Sequence, residues 1–104
     1  MVSDLERLLE YCQEVGATDL VLTPGVPPHV RLANGFEPVP WAGPLRAEDT
    51  GQFAAQVVPR QVFEVFAREG DWDGSVATRH GRFRVNVFLQ RGTFALAFRR
   101  IPER

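Results

Sequence analysis

The last third of this chain leaves little choice of fold. From Gly81 to Pro102 it reads GRFRVNVFLQRGTFALAFRRIP, two alternating runs on either side of Arg91-Gly92. A period of two belongs to strands with one buried face, and two such runs around a short turn make a hairpin. If Arg91-Gly92 is a two-residue turn, Gln90 pairs with Thr93 and, counting back, Arg84 lies directly opposite Arg99. In that register Phe83, Val85, Val87 and Leu89 share a face with Phe94, Leu96 and Phe98, while Arg82, Arg84, Asn86 and Arg99 share the other. Arginine fits poorly at the φ > 0 first position of a type I′ turn. A three-residue loop ending in Gly92 as a G1 bulge is the competing register, and it moves Arg99 to the other face. The first register is preferred because it sorts the large apolar residues onto one side. It also sets two like charges across a sheet, which is destabilising unless something anionic lies between them.

The remaining segments supply what such a hairpin packs against. Ser3-Asp4-Leu5-Glu6 reads as a capping box, followed by Leu5, Leu8, Leu9, Cys12 and Val15 at helical spacing and by Gly16 as the stop. Residues 18–23 read as a strand closed by Pro24-Gly25. Residues 30–33 and 36–39 flank Asn34-Gly35, a strong two-residue hairpin signal, and Pro38 and Pro40 send the second of these strands to a sheet edge. After a connector at 41–44, a helix is expected over 47–58, weakened at Gly51. Pro59 breaks it and opens a third helix, with Val62, Phe63 and Phe66 as its apolar stripe and Gly70 as its end. Residues 71–78 form a further strand. Hairpin-joined strands with helices gathered between them imply one α+β domain: a mostly antiparallel sheet of about six strands with helices packed on one side.

Composition excludes several roles. The 104 residues carry a net charge of −1, which offers no general attraction to nucleic acid or to an anionic membrane. All twelve basic residues are arginine, so every cation is a planar fork suited to carboxylate or phosphate. A lone Cys12 cannot form an internal disulfide, so a reducing, cytoplasmic setting is expected. Asp4, Glu6, Arg7 and Glu10 interrupt any signal-like apolar run, and no segment approaches the length of a membrane span, about 20 apolar residues.

No self-sufficient active site is visible. Without lysine these residues contain no G-x-x-x-x-G-K-[ST] phosphate loop. His29 and His80 lie far apart and Cys12 sits on a core stripe, a poor set for a metal. Ser3 is committed to a cap, and Ser75 lacks the strand–turn–helix setting of a nucleophile elbow. Asp71 and Asp73 alternate on one strand and read either as paired carboxylates or as a solvated face. Two readings of the arginines remain open. Arg84 and Arg99 reach Asp71, Asp73 or Glu69 in surface ion pairs, or they form an anion site, with Arg82 as a weaker third member.

Three ordered segments tilt that choice. Thr18-Asp19-Leu20-Val21-Leu22-Thr23-Pro24-Gly25-Val26-Pro27-Pro28-His29-Val30-Arg31 resembles the pattern S-D-L-H-L-x-x-G-x-P-P-x-x-R. Arg82-Phe83-Arg84-Val85-Asn86-Val87-Phe88 and Phe98-Arg99-Arg100-Ile101-Pro102 resemble R-F-R-V-N-x-F and F-R-x-I-P. All three belong to the N-terminal domain of the type IV pilus retraction ATPases, the PilT-type twitching-motility motors of the type II/IV secretion ATPase superfamily. The resemblance spans nearly the whole chain. It implies a PAS-like domain at residues 1–104, cytoplasmic, which in the family precedes a RecA-like motor core in a hexameric ring. It also implies that Arg84 and Arg99 reach the phosphates of a nucleotide bound by that core, in cis or in a neighbouring subunit, so that ATP and Mg matter only beside a motor.

Two departures stand out. Val21 replaces the family histidine, and these 104 residues hold no Walker A, Walker B or catalytic glutamate, so no ATP hydrolysis is expected of them alone. The rival expectation is a free-standing PAS-like module that dimerises, or docks on a pilus motor or signalling partner, through Phe36, Trp41 and Phe88.

Overall fold

The computed structural model describes residues 4–102. Six strands, β1 (Asp19–Leu22), β2 (His29–Leu32), β3 (Gly35–Pro38), β4 (Asp71–Thr78), β5 (Gly81–Gln90) and β6 (Thr93–Arg100), form one sheet in the order β3-β2-β1-β6-β5-β4. Every neighbouring pair is antiparallel. Three helices, α1 (Asp4–Glu14), α2 (Ala47–Val57) and α3 (Phe63–Glu69), contribute buried residues to a single core on one face of this sheet. The α+β architecture expected from the sequence is the one observed.

The hairpin explains why the core sits where it does. Gln90 pairs with Thr93 and Arg84 with Arg99, as the two-residue turn requires. Arg91 takes φ 53° and Gly92 φ 79°, so both turn residues are left-handed and the bulged alternative is not formed. Phe83, Val85 and Val87 on β5 and Leu96 and Phe98 on β6 are fully buried. Each such side chain removed from water contributes about 1.5–3 kcal/mol before entropy is counted. Leu20 and Leu22 on β1 and Val30 on β2 extend the same floor, and Leu5, Leu8, Leu9, Cys12, Phe53, Ala54 and Phe66 descend on it from the helices. Leu89 and Phe94, at the turn end, are only half-buried. There Phe94 stacks on Phe66 with ring centroids 5.2 Å apart.

Helix α1 ends as its glycine predicts. The Ala17 N–H donates to the Cys12 carbonyl at 2.9 Å and the Gly16 N–H to the Gln13 carbonyl at 3.2 Å, with Gly16 left-handed at φ 71°. This is a Schellman motif whose apolar contact joins Ala17 to Cys12, both buried. Val15 occupies the cap position, past the last helical turn, and is exposed instead of joining the stripe. The capping box falls partly outside the described residues, because Ser3 is not among them.

Two local expectations are corrected. The β2–β3 hairpin turns at residues 33–34, closed by the Leu32–Gly35 pair. Gly35 opens β3 at φ 121° and does not occupy the turn centre. The third helix does not run straight from Pro59. A 3-10 turn over Arg60–Val62 precedes α3, and that tighter winding rotates Val62 out to solvent while Phe66 stays buried. The edge position inferred for the Pro38 strand is observed.

Candidate functional site

The face of the sheet away from the helices carries the charges. Antiparallel pairing aligns Arg31 of β2, Asp19 of β1, Arg99 of β6, Arg84 of β5 and Ser75 of β4 in one row across five strands. Asp73 lies one step along β4, opposite Asn86. Thus the two arginines sit side by side on the central hairpin with a carboxylate beyond each. Arg99 Nε donates to Asp19 Oδ2 at 3.2 Å, and Arg84 Nη2 donates to Asp73 Oδ2 at 3.2 Å. The cross-strand repulsion is relieved sideways, each guanidinium leaning toward its own acid and away from the other cation.

Asp73 is among the partners expected from the sequence and Asp19 is not. The pair Asp19–Arg99 is separated by 80 positions in the chain, and only the β1–β6 pairing brings the two together. The two acids differ in setting. The Asp19 side chain is 14% exposed and that of Asp73 57%. In addition, the Thr18 hydroxyl donates to Asp19 Oδ1 at 2.6 Å. Asn86 spans the neighbouring gap, its amide donating to Asp71 Oδ1 at 3.0 Å and to the Trp72 carbonyl at 3.1 Å. Asp71 and Asp73 are therefore held separately and do not act as one carboxylate pair. Together Asp19, Asp73, Arg84, Asn86, Ala97 and Arg99 line an open groove of about 390 Å³. Arg82 is exposed on the same face, one step further along β5 opposite Ala77.

The other residues singled out from the sequence do not converge. The His29 ring Nδ1 lies 2.7 Å from the Pro27 carbonyl oxygen, and the His80 Nδ1 lies 3.2 Å from Gln13 Oε1 at the far end of the sheet. Ser75 is exposed on edge strand β4. Among the described residues no group of three or more His, Cys, Asp or Glu could hold a metal ion, and no helix is long and apolar enough to cross a membrane. Phe36 and Trp41 are 53% and 45% exposed. Arg31 lies over the Phe36 ring at 5.7 Å and Arg7 over the Trp41 ring at 4.5 Å. Phe88 is half-buried beside Ala95, outside the core cluster. A larger groove, about 630 Å³, runs between α1 and the Val76–Arg79 stretch over Leu5, Leu9 and Val57. It gathers none of the residues that carry chemistry above.

Arg100 is the residue that sequence reasoning passed over. It pairs with Phe83 on the core face, its guanidinium 5.9 Å from that ring centroid. Nε and Nη2 are buried and find no hydrogen-bond partner among the described residues. The guanidinium neighbours the Cys12 thiol. Burial pushes the Cys12 pKa up, and hydrogen bonding to Arg100, together with that residue's positive charge, opposes the rise only in part. A polar residue at a core-facing step of an otherwise apolar alternation was the available signal.

The described residues thus form a three-helix layer on one face of a six-stranded antiparallel sheet, with a flanked arginine pair on the bare face. The chain is similar in sequence to one region of a type IV pilus ATPase and in sequence and fold to one region of a pilus retraction motor. It is 34% identical over 99 residues to the type IV pilus ATPase PilU of Pseudomonas aeruginosa, a match covering 94% of this chain and 26% of PilU. The fold superposes on the pilus retraction motor PilT, solved with bound ADP, with a TM-score of 0.87 and 31% identity over 100% of this chain and 30% of PilT. The Legionella pneumophila ATPase DotB shares the fold, with a TM-score of 0.79 and 20% identity over 94% of this chain and 28% of DotB. The chain thus spans between about a quarter and a third of the length of these relatives. No protein-family model matches it.

Proposed function

We propose that residues 1–104 form the PAS-like N-terminal module of a type IV pilus retraction ATPase. In this reading the module is cytoplasmic, does not itself hydrolyse ATP, and supports both a hexameric motor and twitching motility. Arg84 and Arg99 meet the phosphates of ATP and Mg held by a RecA-like core, in cis or in a neighbouring subunit, with Arg82 a weaker contributor. Neither nucleic acid nor membrane insertion enters its work. The observation that carries the reading is the placement of Arg84 and Arg99 next to each other on an uncovered, rigid sheet face, in a domain homologous to part of PilU. Paired planar forks on fixed strands suit a polyphosphate, whose charge they neutralise and whose oxygens they bond two at a time.

Arg84 and Arg99 are each matched by an acid of their own, Asp73 and Asp19, so the pair by itself has little electrostatic hold on a nucleotide. Calorimetric titration of the chain with ATP is expected to show no tight site, and micromolar or tighter binding would overturn the reading. The positive arm replaces the matching stretch of PilU with this chain. There Arg84→Ala and Arg99→Ala are each expected to lower ATP turnover by about tenfold or more, and unchanged turnover in both would sink it.

The exposure of Phe36 and Trp41 favours a second reading, a free-standing module that self-associates or docks on a partner through these rings. A stable dimer of the isolated chain in light scattering supports it, and a monomer supports the motor module.

A further inference from the structure

We infer that the two carboxylates beside the arginine pair do opposite work: Asp19 is a positioning residue that presents Arg99 to a polyphosphate, and Asp73 is a competitor that the polyphosphate must displace from Arg84. The inference rests on the phosphate-contact reading above and says how this chain's own side chains prepare for that ligand.

The difference lies in which edge of each guanidinium is occupied. Asp19 takes Arg99 at Nε, the inner edge, so the terminal Nη1–Nη2 end, which grips oxyanions two at a time, carries no bond among the described residues. Asp19 is itself fixed. Its side chain is largely buried, and its second oxygen accepts the 2.6 Å bond from Thr18. A held carboxylate restricts the rotamers of the arginine above it, so less freedom is lost when a ligand arrives. Asp73 differs on each count. It takes Arg84 at Nη2, on the terminal edge, and it stands largely in solvent with Arg84 as its only hydrogen-bonding partner among the described residues. A phosphate oxygen approaching Arg84 end-on therefore replaces a carboxylate oxygen. The exchange is cheap because an exposed pair of this kind holds only weakly.

The two roles are separable because simple electrostatics predicts otherwise. Asp19→Asn and Asp73→Asn each remove one negative charge beside the site, so by Coulomb attraction alone both would tighten anion binding. Positioning and competition predict opposite signs. The test titrates the 104-residue chain with inorganic tripolyphosphate at low ionic strength, where exposed charges are least screened, and follows the Nε–H resonances of Arg84 and Arg99 by NMR. Both resonances are expected to respond in the unsubstituted chain. Asp73→Asn is expected to tighten binding about threefold and Asp19→Asn to weaken it about threefold. In Asp19→Asn the loss falls on the Arg99 signal while Arg84 responds as before, a split that a general loss of structure does not give. Thr18→Val, which keeps every charge, is expected to shift binding in the direction of Asp19→Asn. If Asp19→Asn or Thr18→Val tightens binding as Asp73→Asn does, the positioning role is wrong. If Asp73→Asn leaves affinity unchanged, the competitor role is wrong. If neither arginine in the unsubstituted chain responds to tripolyphosphate, this inference fails, whereas the phosphate-contact reading stands or falls separately on turnover of the PilU chimera.

Discussion

Arg99 and Arg100 are adjacent in the chain and opposite in circumstance. A strand sends successive side chains to opposite faces, so Arg99 lies among charges on the bare face while Arg100 is driven under α1 against Phe83 and Cys12. A guanidinium with two buried nitrogens, Nε and Nη2, that lack partners among the described residues costs more than an apolar residue of similar length. Arg100→Met is therefore expected to stabilise the fold by about 1–2 kcal/mol, seen as a higher urea midpoint with unchanged m-value; a lower midpoint would show that Arg100 has a partner it needs. Gly74 is the converse case, a residue whose smallness is required. A Cβ there would lie 2.4 Å from Trp72 Cζ2 and 2.5 Å from Cη2, because the indole folds along its own strand across the glycine. Gly74→Ala is expected to cost about 1–3 kcal/mol and to change the native tryptophan fluorescence, since Trp72 has to move.

Among the elements, the hairpin was the most legible and the short connections were the least. Alternation over residues 81–102 dictated both faces and, with them, the Arg84–Arg99 pair. The turn tolerates Arg91 at φ 53° because the register buries five large side chains, and that gain outweighs about 1–2 kcal/mol of left-handed strain. The Asn34-Gly35 signal pointed to the right hairpin but the wrong central pair, since Gly35 serves equally well just after a turn. Helix α2 begins without a serine or threonine. Instead the Asp49 carboxylate accepts the Arg46 backbone N–H at 2.8 Å and its side chain at 3.3 Å. These bonds, the backbone one foremost, hold the Asp49 pKa below the usual carboxylate value. A lowered folded-state pKa stabilises above the unfolded value, about 3.9, and that contribution is lost as pH falls through the folded one. Asp49→Asn is accordingly expected to lower the melting temperature by about 2–4 °C at pH 7. The gap should close as the pH is taken progressively below the unfolded value, checked by melting both proteins from pH 7 into the acid range.

In the whole molecule, one face of the sheet is covered by three helices and the other is left bare, and this asymmetry governs where the structure is most stable. β1, β6 and β5 have strands on either side and the helices above them, whereas β3 is a four-residue edge strand with three exposed residues. Amide hydrogen exchange is expected to be slowest in β1, β5 and β6 and fastest in β3; uniform protection across the sheet would contradict this layering. The bare face presents a row of charges in which Arg84 and Arg99 are each paired with an acid, Asp73 and Asp19.

By itself the sequence determined what is local or periodic: the helices, the strands, the hairpin register and the two arginines side by side. These follow from the period of the side chains and from turn chemistry, both of which act over a few residues. Only the tertiary structure decided the partners. Asp19 reaches Arg99 across 80 positions because β1 enters the sheet between β2 and β6, and Arg100 is trapped under α1 because the helices cover that face alone. Both are facts of strand order and layer packing. They depend on how the elements assemble, which no spacing along the chain encodes.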